Sequence, residues 1–231
     1  MSGYYIVASS KPWHRPRFEM VQANSPDRWS YVSDRQELER ALELDRPRYI
    51  FFLHWNWIVP REIWASHECV CFHMTDVPYG RGGSPLQNLI ARGHDDTVLS
   101  ALRMVEEMDA GPVYAKRPIS LHGRAEEIYL RAGDICWDVI DWMIRTEPQA
   151  IPQQGEVTRF SRRKPSESHL PKTGDLRHVY DHIRMLDAPT YPLAFIEHGD
   201  YVLEFSRADL SASEVTACVR IRKKTIEGAK N

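Results

Sequence analysis

Arg48-Tyr49-Ile50-Phe51-Phe52-Leu53-His54 is the stretch on which the reading of the fold turns. Tyr49 to Leu53 is an unbroken apolar run of strand length. A strand apolar on both faces must be covered on both, as inside a parallel sheet flanked by helices. Outward from it, short apolar runs alternate with amphipathic stretches, the pattern of βαβ units. Upstream, Tyr4–Ser9 reads as a strand, Phe18–Asn24 as a helix and Trp29–Val32 as a short strand. Asp34 caps a helix over Arg35–Leu44, where Leu38, Ala41 and Leu42 take helical spacing. Downstream, Pro60 opens a short helix, Cys69–Met74 is a strand, and Ser84-Pro85 starts a helix reaching Ala91. Thr97–Met104 and Gly111–Ile119 read as strands. Arg124–Arg145 is a long helix with Ile128, Ala132, Ile135, Val139 and Met143 on its apolar face, ended by Pro148 and Pro152.

Beyond Pro152 the pattern changes. Thr158–Lys172 is a basic connector and Asp175–Leu186 a helix. Ala194–Glu197 and Tyr201–Phe205 form a hairpin across Gly199-Asp200, and Val215–Ile221 adds a strand. The expected organisation is an open, mainly parallel α/β domain over residues 1–152 and a small α+β appendage over 153–231.

Composition narrows the functional classes. The 231 residues are 42% hydrophobic and 27% charged, with a formal net charge of −2. A polyanion partner held by bulk electrostatics would call for a basic surplus, so no nucleic-acid partner is expected. No apolar window approaches a membrane span, and the start, Met1-Ser2-Gly3-Tyr4-Tyr5-Ile6-Val7-Ala8, lacks a signal-peptide layout. A cytoplasmic chain without a membrane partner is the expectation. Cys69, Cys71, Cys136 and Cys218 show no metal-ligand spacing, so neither metal nor disulfide is expected. Ala8-Ser9-Ser10-Lys11-Pro12 stands where a dinucleotide fingerprint would, which excludes a nicotinamide dehydrogenase.

In open α/β sheets, reacting ligands gather at the carboxyl ends of the strands. Two segments stand out there. Phe72-His73-Met74-Thr75-Asp76-Val77-Pro78-Tyr79-Gly80-Arg81-Gly82-Gly83-Ser84-Pro85 delivers a histidine at a strand end and enters a loop rich in glycine with one arginine. The glycines admit close backbone approach, and an arginine suits a carboxylate or phosphate. Glu106-Glu107-Met108-Asp109-Ala110-Gly111-Pro112-Val113 places an acid before a tight turn into a strand.

Taken in order, the strand, His73, the Pro78 to Pro85 loop with Arg81-Gly82, and Met108-Asp109-Ala110-Gly111-Pro112 resemble the family of formyltransferases that use 10-formyltetrahydrofolate. The resemblance runs from about Tyr49 to Ile119. It continues more weakly through Phe160-Ser161-Arg162-Arg163-Lys164-Pro165 and Ile183-Arg184-Met185-Leu186-Asp187-Ala188-Pro189. It implies a Rossmann-like formyltransferase fold and a catalytic set of asparagine, histidine and aspartate, with no metal. His73 and Asp109 match the last two. The family's Asn-x-His becomes Cys71-Phe72-His73 here, and a thiol is a poor donor beside an amide. Asn56, in the loop His54-Trp55-Asn56-Trp57-Ile58-Val59-Pro60 of the neighbouring strand, is the candidate replacement, since adjacent strand ends lie about 5 Å apart.

These residue types suit formyl transfer. Amide and imidazole N–H groups stabilise an oxyanion, a histidine takes the proton of the attacking amine, and an aspartate steadies the imidazolium. The resemblance also implies a folate site at Trp57, Ile58 and Val59, with Arg81 and Gly82 beside the reacting groups; Trp55 and Trp57 offer walls for a flat heterocycle. By its length and tail, the chain most resembles the nucleotide-sugar N-formyltransferases. The expected acceptor is therefore a nucleotide-linked amino sugar, touched by Tyr79, Arg184, Tyr191 and Phe195. Alternatives are another small-amine transferase like the glycinamide ribonucleotide enzymes, a formyltetrahydrofolate hydrolase, and an inactive folate-binding relative. Similar enzymes often pair two subunits, so a homodimer is also expected.

Overall fold

The computed structural model describes residues 3–224. The elements are, in chain order, β1 (Tyr4–Ala8), α1 (Arg15–Asn24), β2 (Arg28–Val32), α2 (Arg35–Leu44), β3 (Tyr49–Phe52), α3 (Arg61–Trp64), β4 (Cys69–His73), β5 (Arg81–Gly82), α4 (Pro85–Ile90), β6 (Asp96–Arg103), β7 (Val113–Ser120), α5 (Ala125–Thr146), β8 (Arg159–Phe160), α6 (Leu176–Arg184), β9 (Ala194–His198), β10 (Tyr201–Leu210) and β11 (Val215–Lys223). Two compact units result. The first takes in the described chain to Pro85, then Thr97–Ile119 and Leu130–Phe160. The second takes in Leu86–Asp96, Ser120–Tyr129 and the described chain from Ser161 onward.

The first unit is organised by a six-stranded sheet in the order β2-β1-β3-β4-β6-β7. β1 pairs in parallel with β2 and β3, and β3 with β4, so the mainly parallel sheet expected from the Tyr49–Leu53 run is present. β4 and β6 run antiparallel, a direction that no apolar run encodes. Ile50, Phe51 and Leu53 are wholly buried. Asp34 caps α2 by accepting from the Glu37 N–H at 2.8 Å, and the Glu37 carboxylate returns to the Ser33 N–H at 2.7 Å. α5 buries more than its expected stripe. Cys136, Trp137 and Ile140 are at most 3% exposed, whereas Ile135 is only half-buried. The basic connector after residue 158 also contains an unexpected strand. β8 pairs in parallel with β5, Arg81 facing Arg159 and Gly82 facing Phe160, a ladder too short to leave a periodicity.

The second unit carries the antiparallel sheet β11-β10-β9, with α6 packed against β10. β10 runs past the expected hairpin to Leu210, and its register with β11 shifts between Ser206 and Asp209. There Arg207 adopts φ +52° and its N–H donates to Asp187 Oδ2 at 2.6 Å.

At the carboxyl ends of β1 and β3, His14 and His54 share a ring-nitrogen hydrogen bond of 2.8 Å and stack with centroids 5.1 Å apart. Ser10 Oγ donates to the His54 carbonyl at 2.7 Å, so two strand-end loops are tied by side chain and backbone together. Burial lowers the His14 pKa to about 4; burial, with His14 and Lys11 nearby, lowers that of His54 to about 3. Both rings are therefore neutral in the folded chain at neutral pH. Below about pH 6.5 the unfolded chain takes up protons that the folded pair refuses, so stability falls with pH and levels off only near the folded pKa values. For His14 alone, 1% exposed, this amounts to roughly 1–3 kcal/mol between pH 7 and pH 4.5. Thermal melts across that range should record the loss, and His14→Gln should flatten the slope; parallel slopes in both proteins would remove the histidine pair as its source.

Gly111, after Asp109, illustrates a packing constraint of the same unit. A Cβ there would lie 1.7 Å from the Arg103 carbonyl oxygen, so only glycine allows the turn to close on β6. Gly111→Ala should destabilise the chain by about 2–3 kcal/mol, measured as a fall in the urea midpoint at unchanged slope. A midpoint equal to that of the wild type would contradict the close approach.

Candidate active site

β4 ends on His73, which is 7% exposed. The loop that follows turns back beneath its ring. His73 Nε2 lies 2.8 Å from the Gly80 carbonyl, an acceptor only, so this nitrogen carries the hydrogen. Thr75 Oγ1 donates to the same carbonyl at 3.4 Å, and Ser100 Oγ on β6 donates to the Thr75 carbonyl at 2.7 Å. The loop is therefore pinned from both sides. The free edge of the imidazole, Nδ1, faces Asp109 Oδ2 at 3.6 Å. That carboxylate oxygen also accepts from the Gly82 N–H at 2.9 Å. Asp109 sits at φ +56°, a conformation that L residues resist. His73 and Asp109, far apart in sequence, are thus brought face to face in a nearly closed setting.

Arg81 was expected beside a ligand. Instead it is 8% exposed and directed inward. Its Nε and Nη2 donate to Gln153 Oε1 at 3.1 and 2.8 Å, and its Nη1 meets Glu107 Oε1 at 3.4 Å. Arg159 on β8 holds the same Glu107 oxygen at 2.6 Å. Gln153 in turn donates through Nε2 to the Asp109 and Gly111 carbonyls, each at 2.8 Å. Gln153 was not among the expected site residues. Its only sequence signal is its place just past Pro152, where the segment returns to β7 through a bridge between Ile151 and Val113. Arg81 and the Gly82 N–H, expected beside the reacting groups, both make contacts to protein groups here.

The other expected residues divide by place. Cys71, on β4 opposite Phe52 of β3, has its thiol pushed up in pKa by burial and by the Asp109 charge; it remains a neutral thiol. Asn56 is exposed on the loop after β3. In the same loop Trp55 packs edge-on against Phe52, and Trp57 edge-on against Trp55 with centroids 4.8 Å apart. Val59 is buried in the core, whereas Ile58 is 75% exposed. Tyr79 lies edge-on to Phe160. In the second unit, Arg184 is 2% exposed; it pairs with Asp181 and donates to the Leu121 and Gly123 carbonyls. Its Nε and Nη1 are thus taken up by protein acceptors. Tyr191 stacks on Tyr129, and Phe195 meets His169 edge-on. Among the described residues, no group of three or more His, Cys, Asp or Glu side chains is arranged to hold a metal ion, and no helix is long and apolar enough to cross a membrane.

The chain is similar to several known proteins. Residues 165–222 match the family model described as methionyl-tRNA formyltransferase, C-terminal domain. A solved structure described as methionyl-tRNA formyltransferase from Clostridium thermocellum is 42% identical, with 96% of this chain and 100% of that chain covered at a TM-score of 0.93. A methionyl-tRNA formyltransferase from Bacillus cytotoxicus is 25% identical over 175 residues, 71% of this chain and 54% of that protein. The chain thus spans about half the length of that relative. HypX from Aquifex aeolicus, solved in complex with tetrahydrofolic acid, shares the fold at a TM-score of 0.75 and 18% identity, over 90% of this chain and 38% of that one. These findings overturn two expectations. Nucleic acid is not excluded as a partner, and a nucleotide-linked amino sugar is not the indicated acceptor, because the relatives just described at 42% and 25% identity are named for methionyl-tRNA. The Tyr79, Arg184, Tyr191 and Phe195 contacts expected for such a sugar lapse with it. With 42% identity across nearly its whole length to one such enzyme, the chain belongs to the formyltransferase family.

Proposed function

We propose that the chain transfers a formyl group from 10-formyltetrahydrofolate to the amino group of methionine carried on tRNA. The observation that carries this reading is the His73–Asp109 pair at the end of β4, in a chain so similar to an enzyme named for that acceptor. The match of residues 165–222 to the C-terminal domain of methionyl-tRNA formyltransferase supports the acceptor.

His73 gives its Nε2 hydrogen to Gly80, so Nδ1 is the basic nitrogen. As the amine nitrogen bonds to the formyl carbon, it loses a proton to Nδ1. The resulting imidazolium lies 3.6 Å from Asp109 Oδ2. The facing carboxylate favours that charged form. The proton then passes to the tetrahydrofolate nitrogen as its bond to the formyl carbon breaks. The carbonyl oxygen carries negative charge in between and needs a donor. Cys71 is a weak one, and Asn56, beyond the end of β3 beside β4, is the proposed amide. The Trp55–Trp57 pair and the backbone of residues 57–59 are the proposed seat of the pterin.

Incubation with 10-formyltetrahydrofolate and methionyl-tRNA should yield formyl-methionine after deacylation. His73→Ala and Asp109→Ala should each lower kcat/KM by at least about 100-fold. Asn56→Ala should cost roughly 100-fold or more in kcat, the usual worth of one oxyanion donor. Turnover of small amines with none of methionyl-tRNA would overturn the acceptor. Formate release independent of any amine would instead identify a hydrolase. Unchanged turnover in Asn56→Ala would remove that residue from the set.

A further inference from the structure

Asp109 is asked to hold its carboxylate at a fixed separation from His73 while its own backbone occupies an unfavourable region, φ +56°. A turn in that state persists only if its surroundings over-determine it. The neighbouring contacts are the Ala110 N–H to the Glu107 carbonyl at 3.2 Å and the close seat of Gly111 on Arg103. Neither grips the Asp109 carbonyl. Gln153 does, and it holds the Gly111 carbonyl with its other amide hydrogen, both at 2.8 Å. Its orientation is unambiguous. An arginine can only donate and a carbonyl can only accept, so Oε1 must face Arg81 and Nε2 must face the turn.

The contacts close into a ring. The Arg81 guanidinium orients Gln153, Gln153 fixes the Asp109 backbone, and the Asp109 carboxylate accepts from Gly82, the residue bonded to Arg81. The ring joins the loop after β4, the turn before β7 and the segment after α5. Its members are set to about the tolerance of a hydrogen bond, and the His73–Asp109 separation is set with them.

We infer that Gln153 is a positioning residue for the formyl-transfer centre: it fixes the Asp109 carboxylate against His73, and Arg81 acts through it. The inference rests on the proposed role of the His73–Asp109 pair, but its structural half can be read without turnover. Gln153→Glu keeps an acceptor for Arg81 and loses both donors to the turn. Displacements of about 1 Å at a reacting centre can cost roughly 100-fold in rate. Gln153→Glu and Gln153→Ala should therefore lower kcat by about tenfold to a hundredfold, with KM for 10-formyltetrahydrofolate within about twofold of the wild type. Arg81→Lys, which keeps the charge for Glu107 but breaks the two-point grip on Gln153, should act in the same direction by a smaller factor, and serves if the first variants do not fold.

Nitrogen-15 spectra of the His73 ring supply the readout that needs no substrate. The Nδ1 resonance, facing Asp109, should move in Gln153→Glu, while the Nε2 resonance, set by Gly80, should stay. Wild-type kcat with an unmoved Nδ1 resonance overturns the inference. So does a loss confined to KM, or an activity loss that tracks loss of folded protein with His73 unmoved. A wild-type chain that transfers no formyl group, yet shows the Nδ1 change in the variant, would sink the proposed function and leave the positioning role standing.

Discussion

Complete withdrawal of β3 from water is the constraint on which the rest of the first unit depends. Ile50, Phe51 and Leu53 expose nothing, and Tyr49 and Phe52 almost nothing. Each such side chain contributes roughly 1.5–3 kcal/mol on burial. That contribution exists only if both faces of the strand are covered and both edges paired. β1 and β4 supply the edges in parallel, and the Leu53 N–H still donates to the Ala8 carbonyl at 2.9 Å beyond the last paired residue. Parallel neighbours end together, so the loops after β1, β3 and β4 emerge on one rim. His73, Asn56 and the two tryptophans owe their place to that rim.

What happens at the rim depends on backbone as much as on side chains. The Gly80 carbonyl chooses the tautomer of His73, the Gly82 N–H holds the carboxylate of Asp109, and Gly111 lets the turn approach β6. All three are glycines, yet their services differ. One offers a carbonyl, one an N–H in a conformation at φ +110°, and one the absence of a side chain.

The sheet and the two central residues were legible in the sequence because each leaves a local mark: an apolar run, a histidine at its end, an acid before a glycine turn. The partners of those residues were not. Gln153 lies 44 residues from the carbonyl it holds, and nothing about a glutamine after a proline announces that distance. Arg81 sits in a loop whose composition suggests a ligand, but it is buried against Gln153 and Glu107, as Arg184 is against Asp181 and two carbonyls; a sequence shows a charge without showing its burial. The strand pair β5–β8 has two residues a side, below the length at which periodicity can register. The exclusion of nucleic acid failed for another reason. The net charge of −2 is the difference between 30 basic and 32 acidic side chains, and a difference is silent about where either set lies. β11, with Arg220, Arg222 and Lys223 all exposed, is locally basic in a chain that is not.

The paired imidazoles of His14 and His54 have a topological meaning as well as an energetic one. In the order β2-β1-β3-β4, the connection leaving β1 goes to one side and the connection leaving β3 to the other. The crevice between two such strands is where open α/β sheets ordinarily receive a nucleotide. Here the chain has filled it from within: any flat ligand entering there would have to separate a pair of stacked rings and break the bond between them. The sheet has in effect given its customary berth to its own side chains, and the candidate chemistry has moved one strand over, to the end of β4.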